Sequence, residues 1–202
     1  MMYSAKISSS NKKYVQSNLG FTLIEVVIVV VILAIVAVVA LPKFIDISKD
    51  AEQSVMKAQM ASIKSASEQI NIQVVLHPEN LNNNKNRYTL SNGQRIRIRA
   101  GYPDGRWNNT FRYIVDLSNT EQVVTDFCDD ADLDYCVRQK NSGWFRTRGY
   151  ADPASRGRGF IVFPNGYDVG DQKCYSYYYN PNQNATPATP ETPVTGVDFS
   201  EC

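Results

Sequence analysis

An uninterrupted apolar stretch near the N-terminus constrains this chain more than any other feature. Residues 21–41 carry one charged side chain, Glu25, and sixteen consecutive apolar residues follow it. At about 1.5 Å per residue, this segment forms a helix of about 31 Å, which matches the hydrocarbon thickness of a bilayer. No face of such a helix is polar, so a buried helix of a soluble domain is a poor alternative. We therefore expect a transmembrane helix over residues 21–41.

A secretory signal peptide is the main alternative for this segment. Lys6, Lys12 and Lys13 precede it, and Val38-Val39-Ala40 resembles a cleavage site. We favour a retained helix, because the apolar run exceeds a usual signal-peptide core and Pro42 lies close behind the scissile bond. The preceding lysines place the N-terminus in the cytoplasm by the positive-inside rule, and the rest of the chain is then exported.

The charge balance of the remaining chain argues against a nucleic-acid partner. The formal net charge is +1, but the first 20 residues contain three lysines and no acid, which leaves 18 basic and 20 acidic groups in residues 21–202. A general nucleic-acid-binding surface needs a basic excess, so we expect no such partner.

Four cysteines lie beyond the apolar segment, Cys128, Cys136, Cys174 and Cys202. Their even number, exported location and lack of C-x-x-C spacing predict two disulfides. Of the three possible pairings we favour Cys128 with Cys136 and Cys174 with Cys202, because each closes a segment without long apolar periodicity.

The helical pattern continues beyond the apolar segment to about residue 76. Pro42 lacks an amide proton, so we expect a kink or weak point there. We expect about 55 helical residues, roughly 80 Å, of which the first half protrudes and the second half packs on a sheet. The packed face is predicted from apolar residues at helical spacing, namely Ala51, Val55, Met56, Met60, Ile63, Ile70 and Val74.

The sequence after His77-Pro78 predicts an antiparallel sheet. "RYTL" and "QRIRIRA" flank Asn92-Gly93, which predicts a β-hairpin. "TFRYIVDL", "GFIVF" and "CYSYYY" predict further strands. The expected fold class is α+β, with a long N-terminal helix lying across an antiparallel β-sheet.

Gly20 followed by "FTLIE", the apolar helix and Pro42-Lys43-Phe44 together resemble the class III signal sequence of type IV pilins and pseudopilins. This resemblance covers residues 18 to about 60. It implies that a prepilin peptidase cleaves between Gly20 and Phe21 and methylates the new amine of Phe21. It also implies a type IV pilin fold, with a leader over residues 1–20, a long helix over 21–76 and a globular head over 77–202.

Pro42-Lys43-Phe44, "GYPDG" and "CYSYYY" further resemble the mannose-sensitive haemagglutinin (MSHA) class of pilins. That resemblance implies a structural pilus subunit, used for attachment or motility, whose partners are other pilin subunits, the prepilin peptidase and, before assembly, the inner membrane. The head is then periplasmic at first and extracellular after assembly. A type II secretion pseudopilin is the alternative, and a monomeric membrane-anchored binding protein is a third hypothesis.

Glu25 is the expected assembly residue. A carboxylate in hydrocarbon costs several kcal/mol, about 2.5 to 3.5 at the bilayer centre. Cleavage would create a cationic amine on Phe21, and Glu25 of a neighbouring subunit can meet it, which relieves two buried charges. The alternative is that Glu25 is solvated at headgroup level or pairs with its own amine one turn away.

Two charged clusters suggest other activities. Arg95, Arg97 and Arg99 share one strand face with Arg87 nearby, so they predict either phosphate binding to DNA or a solvated strand face, and we favour the latter.

Asp130, Asp132 and Asp134 imitate the opening of a calcium loop, but Tyr135 and Asn141 stand where an EF-hand needs glycine and glutamate. This excludes an EF-hand and leaves an irregular calcium site as an alternative.

Catalytic signatures are scarce in this sequence. His77 is the only histidine, and the phosphate-binding and nucleophile-elbow motifs do not occur. We expect no enzyme, no cofactor and no metal site.

The segment "NATPATPETPVTG" has proline at every third position, 187, 190 and 193, and threonine at 186, 189, 192 and 195. Three residues per turn is the repeat of polyproline II, so we expect an exposed extended segment. It is either a stiff connection inside the Cys174 to Cys202 loop, which we favour, or a displayed surface for adhesion or O-glycosylation.

Overall fold

The computed structural model describes residues 20–202, apart from the side chains at positions 42, 45 and 46. The chain divides into two compact units, one ending at Asp46 and one spanning Ile47–Cys202. Nearly all of the expected leader, residues 1–20, lies outside the described residues.

A single helix, α1 (Leu23–Leu76), contributes to both units. Its last hydrogen-bonded turn closes with the amide of His77 donating to the Gln73 carbonyl at 2.8 Å. Pro78 cannot continue the helix, and a short 3₁₀ helix (Pro78–Asn80) follows. The helix therefore ends where its sequence loses the amide donor.

The buried face of α1 is narrower than the sequence predicts. Its buried positions are separated alternately by four and three residues. This spacing places them in one stripe along a single side of the helix. Ala51 and Val55 were expected on this face but are exposed. Val55 lies about 100° around the helix from its buried neighbour, which turns it to solvent. The buried positions are Met56, Met60, Ile63, Ser67, Ile70 and Val74.

The first sheet has three antiparallel strands in the order β1 (Arg87–Thr89), β2 (Arg95–Arg99) and β3 (Tyr102–Pro103). Its first two strands form the predicted hairpin, and Gly93 adopts φ +82° at the turn, a backbone conformation that favours glycine. The sheet packs its apolar side chains against Ile70 and Val74 of α1.

The second sheet has five strands in sequence order: β4 (Thr120–Gln122), β5 (Tyr135–Asn141), β6 (Arg158–Pro164), β7 (Tyr175–Asn180) and β8 (Val194–Asp198). The first pair is parallel and the others are antiparallel. The α+β fold class is thus confirmed, while the single antiparallel sheet is replaced by one antiparallel and one mixed sheet.

One predicted strand is wrong. "TFRYIVDL" does not form a strand but begins with a 3₁₀ helix (Phe111–Tyr113). This turn drives the Phe111 ring into the core, 4.8 Å from the Phe160 ring and 4.5 Å from the Tyr178 ring. Burial of one aromatic side chain from a turn thereby overrides the strand propensity of its neighbours.

Both faces of the five-stranded sheet are covered. Phe160 and Val162 of β6 face a cluster that includes Met60 and Ile63 of α1. Ile161 and Phe163 point to the opposite face, because successive side chains alternate along a strand. A short helix, α2 (Ser142–Thr147), covers that second face with its buried residue Phe145, and Asn141 caps it by accepting from the amide of Trp144 at 3.1 Å.

Two disulfides reinforce the head. Cys128 bonds to Cys136 with their Cα atoms 5.7 Å apart, and Cys174 bonds to Cys202 with their Cα atoms 4.9 Å apart. This is the pairing that the sequence favours. The first disulfide lies in the core behind the sheet, and the second links the start of β7 to the residue that follows β8 by a short turn.

Tyr178 joins the helix to both sheets. It is fully buried, its hydroxyl donates to the Pro103 carbonyl at 2.9 Å, and it shares a hydrogen bond with Ser67 of α1 at 3.2 Å. Burial raises the pKa of Tyr178 far above its usual range, with a smaller contribution from Asp104. Burial also raises the pKa of Tyr150, whose hydroxyl donates to Asp198 at 2.6 Å.

We expect alkaline pH to destabilise the head through these buried phenols. A phenol whose folded pKa lies above its unfolded value of about 10 contributes stability that is complete below about pH 10 and is lost as the pH rises. The free energy of unfolding, measured by urea titration between pH 9 and 11.5, should fall by up to about 1.4 kcal/mol per pH unit for Tyr178. Tyr178→Phe should flatten this slope, whereas Tyr113→Phe, at an exposed position, should leave it unchanged. Equal slopes in all three proteins would contradict the assignment.

Candidate processing and assembly site

The Gly20–Phe21 peptide lies in non-helical residues directly before α1. Phe21 is 84% exposed, and the space around the Gly20 α-carbon is open. The two residues therefore lie outside the helix and are exposed in the described chain, and cleavage between them stays a prediction.

Thr22 caps the helix that follows this peptide. Its hydroxyl oxygen accepts a hydrogen bond from the amide of Glu25 at 3.3 Å, and its carbonyl accepts from the amide of Val26 at 3.3 Å. Thr22 and Glu25 thus stand at the two ends of a T-x-x-E sequence, the signature of a capping box. The role of Thr22 was missed in the sequence, although this four-residue signature before an apolar run was there to show it.

Glu25 lies in the first turn of α1 and is exposed in the isolated chain. The unpaired amides of a helix N-terminus carry a partial positive charge, which favours a carboxylate in that turn. Glu25 therefore stands where a helix favours an acidic residue. This location leaves the carboxylate oxygens available to a neighbouring cation.

The apolar part of α1 packs against none of the other described residues. Leu23–Leu41 is long and apolar enough to cross a membrane, and none of this span is buried in the described chain. Burial of exposed apolar area contributes about 25 cal/mol per Å², so a surface of this extent requires lipid or other helices around it.

Pro42 lies inside the assigned helix. The helix continues without a break through this position, so the proline does not end it. The kink expected at Pro42 stays a prediction.

The arginines of β2 do not form one free basic stripe. Arg97 lies opposite Arg87 in the strand register, and the Arg99 Nε lies 3.7 Å from the Asp104 carboxylate. Arg95 alone of the three in β2 is exposed. The predicted clustering with Arg87 is therefore present in part, but its members have different environments.

The Asp130 and Asp134 carboxylates accept hydrogen bonds from different partners. Asp130 accepts from the amide of Asp132 at 3.1 Å, and Asp134 accepts from the side chain of Asn119 at 3.0 Å. Within residues 20–202, no three potential metal ligands of the histidine, cysteine or carboxylate type come together.

The exposed part of the proline-threonine segment is shorter than the sequence predicts. Its last part forms β8, which begins at Val194 and pairs with β7, so Thr195 lies within a strand. Thr186, Thr189 and Thr192 are exposed. The strand forms because the Tyr175–Asn180 edge offers unpaired backbone groups to the returning chain.

Residues 16–41 match the prokaryotic N-terminal methylation motif. The motif covers the expected cleavage position, Phe21, Glu25 and the apolar helix, and it supports a type IV pilin-like protein, either a pilin or a pseudopilin. It also implies processing by a prepilin peptidase and assembly with pilin-like subunits. Searches of curated proteins and of solved structures each found no match.

Proposed function

We propose that this protein is a structural subunit of a type IV pilus, similar to the MSHA class, and that it serves surface attachment or motility without a catalytic role. The observation that carries the proposal is the methylation motif on an apolar helix that is wholly exposed in the isolated chain. The chain would be a single-pass inner-membrane protein with a periplasmic head before assembly. After assembly, the apolar helices of many subunits would cover one another.

Assembly is driven by burial of the apolar helices and directed by one charge pair. In this proposal the peptidase cleaves before Phe21 and methylates its amine, which remains cationic. Glu25 of a neighbouring subunit pairs with that amine at the same depth of the filament core. Leaving one partner of a buried ion pair alone typically costs about 3 to 5 kcal/mol, so only subunits in the correct axial register join well.

We expect Glu25→Val to be processed normally but to assemble poorly. The variant retains the apolar helix and leaves the Phe21 amine without its carboxylate. The yield of filaments sheared from cells should fall at least about tenfold, because several kcal/mol per contact correspond to more than one order of magnitude. Immunoblots of cell extracts and sheared fractions measure the processed subunit and the filament.

Glu68→Val is the matched control, because it removes an exposed carboxylate from the second half of the same helix. Its filament yield should equal that of the wild type. A wild-type yield from Glu25→Val would contradict the assembly role, and so would an unprocessed Glu25→Val subunit, since the defect would then lie in peptidase recognition.

Shearing also distinguishes a pilus subunit from a pseudopilin of a secretion system. A pilus subunit is recovered in long extracellular filaments of wild-type cells. A pseudopilin of a type II secretion system would stay with the cell envelope, and its deletion would block protein export. The resemblance of three short segments to MSHA pilins and the exposed threonines of the proline-threonine segment support the pilus.

A further inference from the structure

A polar pocket of about 530 Å³ lies where the two sheets meet. Its walls come from the end of β2, the residues after β3, the start of β6 and the loop that follows β7. The volume falls within the range of about 300 to 1,000 Å³ that is usual for small-molecule sites. The processing and assembly residues do not contribute to it.

The pocket carries a local excess of positive charge. Four arginines line it, Arg99, Arg106, Arg156 and Arg158, whereas Asp104 is the only acid among the described residues that line it. Four guanidinium groups against one carboxylate leave three positive charges. The sequence beyond the leader has a slight acidic excess, so this concentration belongs to the pocket and not to the surface as a whole.

Asp104 forms long ion pairs with two of these arginines. Its carboxylate is 3% exposed and lies 3.7 Å from the Nε of Arg99 and 3.8 Å from the Nε of Arg106. A guanidinium has five N–H donors, so both arginines keep donors for another group. Burial lowers the pKa of Arg106, Asp104 opposes this shift, and nearby arginines that include Arg158 and Arg99 add to it. The arginines are therefore close enough to repel one another.

Asp104 also needs a hydrogen-bond donor. Within the described chain its buried Oδ2 has no hydrogen-bond partner, because both guanidinium nitrogens lie beyond hydrogen-bonding distance. A buried acceptor without a partner costs about 1 to 3 kcal/mol, and more when it is charged. A ligand hydroxyl would supply the donor once the side chains that cover this oxygen shift to admit it.

The rim offers further hydrogen bonds. Asn84, Gln183 and Asn184 line the pocket with exposed side chains, and each amide both donates and accepts. Asn182 is already committed, because its side chain bonds the backbone of Glu191 at 2.7 and 3.1 Å and so fixes the loop. Asn182 thus holds the loop after β7 in place, and Gln183 and Asn184 of the same loop present exposed amides to the pocket.

We propose that this pocket binds an acidic saccharide, one or two sugar rings that carry a carboxylate or a sulfate ester. The arginines pair with the acid group, Asp104 accepts from a ring hydroxyl, and the rim amides bond the remaining hydroxyls. A nucleic-acid strand fits less well: its phosphates offer no donor to Asp104, and none of the described residues that line the pocket is an aromatic platform for bases. The site stands on its own geometry and goes beyond the proposed assembly function.

The test is a binding titration of the full chain in neutral detergent, which requires no filament. The probe is digalacturonate, and the corresponding neutral galactose disaccharide is the matched ligand. Calorimetry should show that digalacturonate binds at least about tenfold more tightly, because charge-assisted hydrogen bonds are about twice as strong as neutral ones. Its affinity should fall when NaCl is raised from 50 to 500 mM. Equal affinity for the two disaccharides, or no binding of either, would overturn the proposal.

Arg158→Gln and Arg95→Gln form a matched pair of variants. Both arginines are exposed and both changes remove one positive charge, but only Arg158 lines the pocket. Arg158→Gln should weaken digalacturonate binding about tenfold, whereas Arg95→Gln should change it less than twofold. Equal losses would indicate a diffuse charge effect and overturn the site. A twelve-nucleotide single strand that binds more tightly than digalacturonate and depends on Arg158 would overturn the saccharide assignment.

Discussion

Gly157→Ala is expected to cost the head about 3 kcal/mol or more of its free energy of unfolding. Gly157 is buried directly before β6, and a β-carbon there would overlap the carbonyl of Asn180 and contact the Cα of Pro181 at 2.6 Å. The obstacle is backbone of the paired strand β7, not a flexible side chain. Relief therefore requires β6 and β7 to separate at Arg158 and Asn180, which are paired in the register.

The same position also anchors a buried phenol. The amide of Gly157 donates to the hydroxyl of Tyr179 at 2.9 Å, and Tyr179 is fully buried in the cluster behind the sheet. Moving the backbone to admit a methyl group would strain this hydrogen bond as well. Urea denaturation of the full chain in neutral detergent measures the loss.

Gly93→Ala is the control that introduces backbone strain without steric overlap. Gly93 adopts φ +82°, but a β-carbon there would lie in open space. The left-handed conformation alone costs a non-glycine residue about 1 to 2 kcal/mol, so this variant should lose clearly less stability than Gly157→Ala. If both variants lost the same amount, close packing between β6 and β7 would not be the reason that glycine occupies position 157.

The parts of the fold that were predictable are those with local signals. Asn92-Gly93 between alternating residues predicts the hairpin, and long apolar or aromatic runs predict β6 and β7. β5 escaped notice because its sequence, "YCVRQKN", has only a short apolar part. It is a strand because β4 and β6 pair with it on both sides, a tertiary cause that its own residues do not show.

The two candidate sites also differ in how far the local sequence predicts them. The candidate processing and assembly site is a continuous segment, so a resemblance to a known signal sequence was enough to propose Gly20, Phe21 and Glu25. The arginine pocket is assembled from distant parts of the chain. Arg99 ends β2, Arg106 follows β3 and Arg158 begins β6, and only the packing of the two sheets brings them together. In the sequence, Arg99 is part of a basic strand, Arg106 is an isolated charge and Arg158 stands two residues after Arg156.

Removal of the Cys174–Cys202 disulfide is expected to have the other large effect. This disulfide closes a loop of 28 residues that contains the proline-threonine segment and β8. The chain-entropy estimate gives a loss of roughly 3 to 4 kcal/mol for the double alanine variant, against about 2.5 kcal/mol for the Cys128–Cys136 disulfide, whose residues are only 8 apart. Urea denaturation of the two double variants measures this difference.

The location of the second disulfide predicts a local effect that entropy alone does not. β8 is the edge strand of its sheet, and the carbonyl of Cys202 accepts from the Lys49 side chain at 3.0 Å. Without the disulfide, the residues after β8 lose their covalent link to β7, and β8 can open without the rest of the sheet. Amide hydrogen exchange of residues 194–198 should then accelerate far more than that of β6, whereas the Cys128–Cys136 variant should preserve the protection of β8. Uniform acceleration of β6 and β8 would show instead that the two strands unfold only as one unit.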